Sequence, residues 1–355
     1  MIDMINRLKM IQFQLFGSKG EQINKQNNYY GLGYKDTKDL CQDLIKEQLD
    51  IFKRDAAIEA EKRFNSFLDS FFEKLSNDNI SGECLGEVFR SPDMQYTYVE
   101  AQKAYIRSGD KDLEEVLTDL LVNRVKEKER TLLQIVLREA ISIVPMLLPK
   151  QLDVLALCFY LKYTVDDEID NIDRLFKWLD EECMPFLSFA KEANNMSFFT
   201  HLTYTKVGSI EIDSYELEDF FKMRYGGLFS VGHNTDEIKL YRDKYPDLIF
   251  PCTFNEKRWQ IKAVNENDLN KKLNQYPNMT EHDKKMLAQL FNVSMMSGGE
   301  IINMLCKHNP DYCALFDVWK NSLLQNLSLT PVGFVIGAMR IRMITGNVID
   351  MRIWI

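Results

Sequence analysis

The residues of this 355-residue chain that could do chemistry are few, and most lie in short acidic or cysteine-bearing runs. Asp93, Glu100 and Lys103 combine the carboxylates and lysine of metal-dependent nucleases, where the acids hold a divalent ion and the lysine stabilises developing charge. Their spacing departs from that chemistry. The acid and lysine stand as E-x-x-K rather than E-x-K, and the surrounding 95–107 has helical rather than strand spacing. A second acidic run, Asp166-Asp167-Glu168-Ile169-Asp170 with Asp173, has the clustered carboxylates that hold Mg²⁺ against phosphate oxygens. The same residues suit a helix start, where the dipole favours acids, and no basic cluster adjoins them. Cys306, His308 and Cys313 offer three zinc ligands within eight residues, which His282 or Cys252 would have to complete. The pattern C-x-H-x4-C matches no standard ligand pairing, so it reads as buried cysteine beside an exposed histidine. Neither metal nor cofactor is expected, and Asp93, Glu100 and Lys103 are the only catalytic candidates.

Other motifs fall short of a reacting centre. Only four histidines occur, at 201, 233, 282 and 308, and the chain lacks G-x-S-x-G, H-E-x-x-H and C-x-x-C. Ser297-Gly298-Gly299-Glu300 has no P-loop lysine, and Gly226-Gly227 reads as a turn. The net charge of −9 has the wrong sign for a protein that coats nucleic acid. A hydrophobic content of 45% excludes disorder and predicts a sizeable core in two or three domains. Seven scattered cysteines, an odd number, point to a reducing cytoplasm. No apolar run approaches the ~20 residues of a membrane span.

The elements that would position these residues are mostly helical. All nine prolines lie at or after Pro92, which leaves the first quarter of the chain open to long helix. Over 36–78, Cys41, Ile45, Phe52, Ala56, Ala60, Phe64, Phe67, Phe71 and Leu75 recur mainly at four-residue steps and read as one apolar stripe on a long rod. Before it, 1–35 carries a local charge of +3, leaving −12 for the remainder. Residues 1–16 read as a basic amphipathic helix able to contact an anionic membrane peripherally, and 17–33 as a flexible link with a short extended piece around Tyr29 and Tyr30. A helical core domain is expected over 79–240, with a small β element around 201–212. A C-terminal helical domain is expected over 241–355, ending in a strand at 349–355. Leu329-Thr330-Pro331-Val332-Gly333, with Arg340 and Arg342, resembles the helix opening of winged-helix modules. The predicted fold class is therefore mostly α: a long N-terminal helix, a helical bundle, minor β elements and a winged-helix-like C-terminus.

Several strings together resemble an uncharacterised bacterial protein family of similar length, of the type associated with conflict and antiviral defence. They are Gln22-Ile23-Asn24 with Asn28-Tyr29-Tyr30-Gly31-Leu32, the run from Pro92 to Arg124, Leu132 to Pro145, His201-Leu202 with Gly208-Ser209-Ile210, Tyr225 to His233, Leu329 to Gly337, and Ile353-Trp354-Ile355. The Asn/Gly-rich piece before the rod is similar to adaptor tags of such systems, although it lacks their Gly-Asp pairs. The resemblance implies a sensor or effector of antiphage defence.

The expected function is a non-enzymatic, cytoplasmic, self-associating interaction protein with a protein partner encoded in a defence operon. Its contact residues are expected to be Tyr29, Tyr30, Phe64, Phe67 and Phe71. A metal-dependent nuclease or nucleotide hydrolase is one alternative, and a membrane-active effector using 1–16 is the other.

Overall fold

The computed structural model describes residues 34–80 and 82–355, with side chains from Lys53 onward apart from 82–84. The basic head, the tag and Tyr29 and Tyr30 lie outside the described residues. The chain is mostly helical and divides into two compact units between Glu129 and Arg130. The segment boundaries expected at 78 and 240 do not coincide with this division.

In the first unit, helix α1 runs Tyr34–Asn77, 44 residues and on the order of 66 Å. It is followed by α2 (Gly82–Val88), α3 (Pro92–Ser108) and α4 (Lys111–Lys126). Helix α1 packs on α3 and α4 through Phe64, Phe67, Phe71 and Leu75, each at most 3% exposed. Phe67 contacts the rings of Tyr98 and Tyr105, and Phe71 those of Phe89 and Tyr98. A polar seam fixes the register of α1 against α4. Ser66 donates to Glu114 at 2.7 Å, Ser70 meets Thr118 at 3.5 Å, and Lys74 pairs with Asp119 at 2.8 Å. At the end of α3, Gly109 has φ 67°, and Arg63 of α1 donates to the Ile106 carbonyl there. A side chain at 109 would collide with that guanidinium.

The stripe expected along the rod is broad, and among the described side chains only its later part is buried. Residues four apart drift by about 40° on a 3.6-residue helix, and the steps of seven and three turn the set back, so Cys41 to Leu75 span an arc of about 160°. Its later members are buried, but Ala56 is exposed and no side chain from Lys53 to Lys62 is buried.

The second unit is built on two central helices that sequence pattern alone places far apart. These are α6 (Pro149–Tyr163), preceded by α5 (Leu132–Ile143), and the last helix of the chain, Pro331–Thr345. Between them run α7 (Ile172–Trp178), α8 (Met196–Tyr204), β1 (Gly208–Ile210), α9 (Leu217–Tyr225), α10 (Thr235–Lys244), β2 (Ile249–Cys252), β3 (Asn255–Ile261), α11 (Glu266–Leu273), α12 (Glu281–Val293), α13 (Gly298–His308), α14 (Asp311–Asn321) and β4 (Leu327–Leu329), and the last helix is α15. From Gln151 to Leu161 every residue of α6 is buried, and so is every residue of α15 from Val332 to Ile341 except Phe334. Asp153 and Arg340 sit in this core, 3% and 6% exposed, with Arg340 Nε donating to Asp153 Oδ1 at 2.7 Å. Ser188 donates to the other Asp153 oxygen. Gly333 lets α15 cross β1 closely, because a Cβ there would fall 1.9 Å from the Val207 carbonyl oxygen.

The β elements differ from expectation. Of 201–212, the first part is the end of α8, where Thr203 and Thr205 bond back to helical carbonyls, and only 208–210 form a strand. It pairs antiparallel with β4, Ser209 opposite Ser328. The terminal strand expected at 349–355 is absent. Asp350 caps a 3₁₀ turn at Met351–Ile353, and Trp354 packs against Phe159, Tyr163 and Phe334. With that strand missing and α15 buried, the C-terminus is not a winged helix. The hairpin β2–β3 lies near the start of the stretch expected as a C-terminal helical domain. It is covered by a satellite core of Ile238, Tyr241, Leu248, Leu269, Leu287 and Phe291.

Two buried carboxylates make the stability of the fold testable. Asp153→Ala strands the Arg340 charge in the core and should cost about 3–5 kcal/mol in urea unfolding, whereas Asp153→Leu with Arg340→Met should recover most of that loss. Asp283, 6% exposed, accepts from Lys244 and from Tyr245 at 2.7 Å, and these partners, Lys244 foremost, hold its carboxyl down at about 2. A depressed carboxyl contributes stability above its ordinary value of 3.8 that is lost as pH falls towards about 2. Thermal melts of Asp283→Asn should therefore lose less stability than the parent between pH 4 and pH 2.

Candidate functional site

The acidic run 166–170 forms one wall of a cavity of about 940 Å³ in the second unit. The loop after α6 brings Asp166, Asp167 and Asp170; α9 brings Lys222, Arg224 and Tyr225. Helix α11, with its N-cap Asn265, and the end of α12 contribute Asn265, Glu266, Lys271 and Asn292. The walls are tied together by hydrogen bonds. Asp166 N–H donates to the Tyr225 hydroxyl at 3.0 Å, Asn265 Nδ2 to the Arg224 carbonyl at 2.9 Å, and Asn292 Nδ2 to Glu266 at 2.8 Å. Burial pushes the Tyr225 hydroxyl up to about 12, so it stays protonated at neutral pH.

The charges of the lining are partly committed to the fold. Arg224 spans the end of α6, donating to the Leu161 and Lys162 carbonyls at 2.7 and 2.6 Å. Lys272 holds Asp268 at 2.7 Å. Lys222 and Lys271, and opposite in sign Asp167 and Asp219, have no ion-pair partner among the described residues. The cavity thus presents both signs of charge with amide groups between them, beside the apolar Val165, Ile169, Met223 and Val264. Its lining contains no histidine, cysteine or serine. Among the described residues, no group of three or more His, Cys, Asp or Glu is placed to hold a metal ion.

A family model described as ":-like" matches residues 31–355. The chain belongs to that family. No curated protein and no solved structure matches the chain. Among the described residues no helix is long and apolar enough to cross a membrane.

The family's span includes every sequence-predicted site except Tyr29, Tyr30 and the basic head, and the structure disperses those sites. Asp93 is bound to Arg124 at 2.7 Å near the start of α3, while Glu100, two turns further on, and Lys103 are exposed. These three do not converge on one point. Cys306 and Cys313, expected as buried thiols, are half-buried and joined by a disulfide, whereas His308 is exposed as expected and stacks on Phe176. His201 accepts or donates at Gln151, and His233 is buried with Nε2 2.9 Å from the Leu290 carbonyl. Ser297 and Glu300 form a capping box on α13. Arg340, a candidate basic edge, is the buried partner of Asp153.

Sequence reasoning missed Lys222, Tyr225, Lys271 and Asn292, which reach the cavity from segments up to about 130 residues apart. Asp153 was the more legible omission, because a carboxylate directly preceding the apolar run Val154–Phe159 demands a buried partner.

Phe64, Phe67 and Phe71 are core residues of their own unit rather than a free contact surface. Phe67→Ala should therefore lower unfolding stability by about 3–5 kcal/mol. A loss of oligomer mass at unchanged stability would restore the contact role.

Proposed function

We propose that the protein is a non-enzymatic interaction protein that self-associates through the N-terminal half of α1. The observation that carries this reading is the side of α1 on which its apolar positions fall. At 3.6 residues per turn, positions 40, 44, 51 and 58, occupied by Leu40, Leu44, Ile51 and Ile58, fall on one side of the helix. Positions 64, 67, 71 and 75 fall on nearly the opposite side. Asp39, Gln42, Lys46, Asp50 and Lys53 share that second side, with Leu49 at its margin, while Cys41, Ile45 and Phe52 fall between the two, so the apolar arc of the first half is centred away from positions 64–75.

Ile58, the last member of the upper set, is 66% exposed. Steps of four and seven residues are those of a coiled-coil seam. A helical segment with no buried side chain over Lys53–Lys62 gains little from propensity alone, and a partner helix supplies the missing burial. A second copy carries the same seam and so matches it in length and register. The sensor or effector role in antiphage defence, with a cytoplasmic site of action and a partner encoded nearby, is supported by the resemblance of the quoted strings.

Light scattering coupled to size exclusion tests the proposal. The full chain should elute at an integral multiple of its monomer mass. Leu44→Glu with Ile51→Glu should return it to monomer mass with an unchanged melting temperature, because positions 44 and 51 fall on nearly the opposite side of the helix from 64, 67, 71 and 75. A full chain that is monomeric at tens of micromolar, or a double variant that keeps the parent mass, would overturn it.

A further inference from the structure

Cys306 lies in the last turn of α13 and Cys313 in the first turn of α14, and a disulfide joins them across the corner between the helices. Their Cα atoms are 5.3 Å apart, a separation that a disulfide spans without backbone movement. The corner has its own supports. Asn309 N–H donates to Leu305 O at 3.0 Å, Tyr312 N–H to Asn309 O at 3.1 Å, and Cys313 N–H to Pro310 O at 3.1 Å. Leu305 and Tyr312 are fully buried. The Tyr312 hydroxyl donates to Asp180 at 2.8 Å, Asn309 Nδ2 reaches the same carboxylate at 3.1 Å, and the His308 ring stacks on Phe176 at 3.5 Å. With both thiols reduced, these contacts still hold the two sulfurs side by side, at high effective concentration.

Access separates this pair from the free cysteines whose side chains are described. Cys158, Cys183 and Cys252 are buried, whereas Cys306 and Cys313 are half-exposed. Burial pushes the Cys158 thiol up to about 12 and Cys183 well above its ordinary range, which removes both as nucleophiles. The helix ends distinguish the two corner sulfurs. The dipole of the 11-residue α14 favours a thiolate at Cys313 in its first turn, and the carbonyl end of α13 disfavours one at Cys306.

We infer that Cys306 and Cys313 form a reversible dithiol–disulfide site in which Cys313 is the attacking thiolate and a low-molecular-weight disulfide of the glutathione class is the oxidant. The Cys313 thiolate attacks one sulfur of the oxidant, forming a mixed disulfide and releasing one glutathione thiolate. Cys306 gives its proton to solvent and attacks the Cys313 sulfur, which forms the internal disulfide and releases the second glutathione. Two protein thiols are oxidised and one small disulfide is reduced to two thiols. Reduction runs the same steps in reverse.

The test equilibrates the full-length protein in glutathione buffers of graded ratio, traps thiols with iodoacetamide and reads each cysteine by peptide mass spectrometry. The 306–313 linked peptide should appear and disappear reversibly with the ratio, without a loss of folded protein. At pH 7, Cys313 in a Cys306→Ser variant should alkylate about two- to five-fold faster than Cys306 in a Cys313→Ser variant. Absence of the linked peptide at every ratio, or reduction only after unfolding, would overturn the site. Faster alkylation of Cys306 would overturn the assignment of the attacking sulfur. Serine variants with parental melting temperatures confirm that the rates compare folded proteins, and the glutathione titration of the parent decides the site even where a variant fails to fold.

Discussion

A single ion pair organises the second unit. Asp153 and Arg340 lie 187 residues apart in sequence, yet they meet at 2.7 Å between the two central helices, where almost every neighbouring side chain is apolar. Apolar packing tolerates sliding between helices, but a buried carboxylate and guanidinium do not, since any shift that separates them leaves two uncompensated charges out of water. The pair therefore sets the register of α15 on α6. From that register follow the seating of β4 against β1 and the crossing at Gly333. The return of Trp354 onto Phe159 and Phe334 follows too. The first unit uses the same device in milder form, with the Ser66–Glu114, Ser70–Thr118 and Lys74–Asp119 contacts along α1 and α4.

Helices were legible where their signals are local. Asp110, Thr131, Pro149 and Pro331 mark starts by capping or by proline at the first turn, and Ser76–Asn79 marks the end of α1. Features that depend on distant partners were not legible. The alternation at Ile349–Ile355 is that of a strand, but no neighbouring strand is there to pair with it, and its aromatic residue finds a helical surface instead. In the Asn- and Lys-rich stretch that holds β2 and β3, the sparse apolar Ile249 and Ile261 sit opposite each other and are buried, together with the polar Gln260. The cavity was legible only as its acidic wall. Its other walls come from helices whose order in sequence says nothing of their proximity.

The stripe along α1 shows how a correct composition can carry a wrong geometry. Steps of four residues look aligned over two turns, but each drifts by about 40°, and Cys41 ends about 140° round the helix from Phe64. Reading the rod as one face would make the phenylalanines the contact surface, whereas their burial with Tyr98 and Tyr105 gives them to the core.

Most of the side chains that drew attention in the sequence are consumed by the fold. Asp93 holds Arg124, His233 meets the Leu290 carbonyl, Glu300 caps α13, and the aromatic stripe fills a core. A group already satisfied by a buried partner can change state only at the cost of that partner's contacts, so such groups make poor sites for exchange with solvent. What remains available lies where elements end or stand clear of the core: the upper turns of α1, the α13–α14 corner, and the cavity between α9 and α11. Of these, the cavity presents Lys222, Lys271, Asp167 and Asp219 without an ion-pair partner among the described residues, and the corner presents two half-exposed sulfurs joined to each other. That placement separates the surfaces able to meet other molecules from the interior that fixes their geometry.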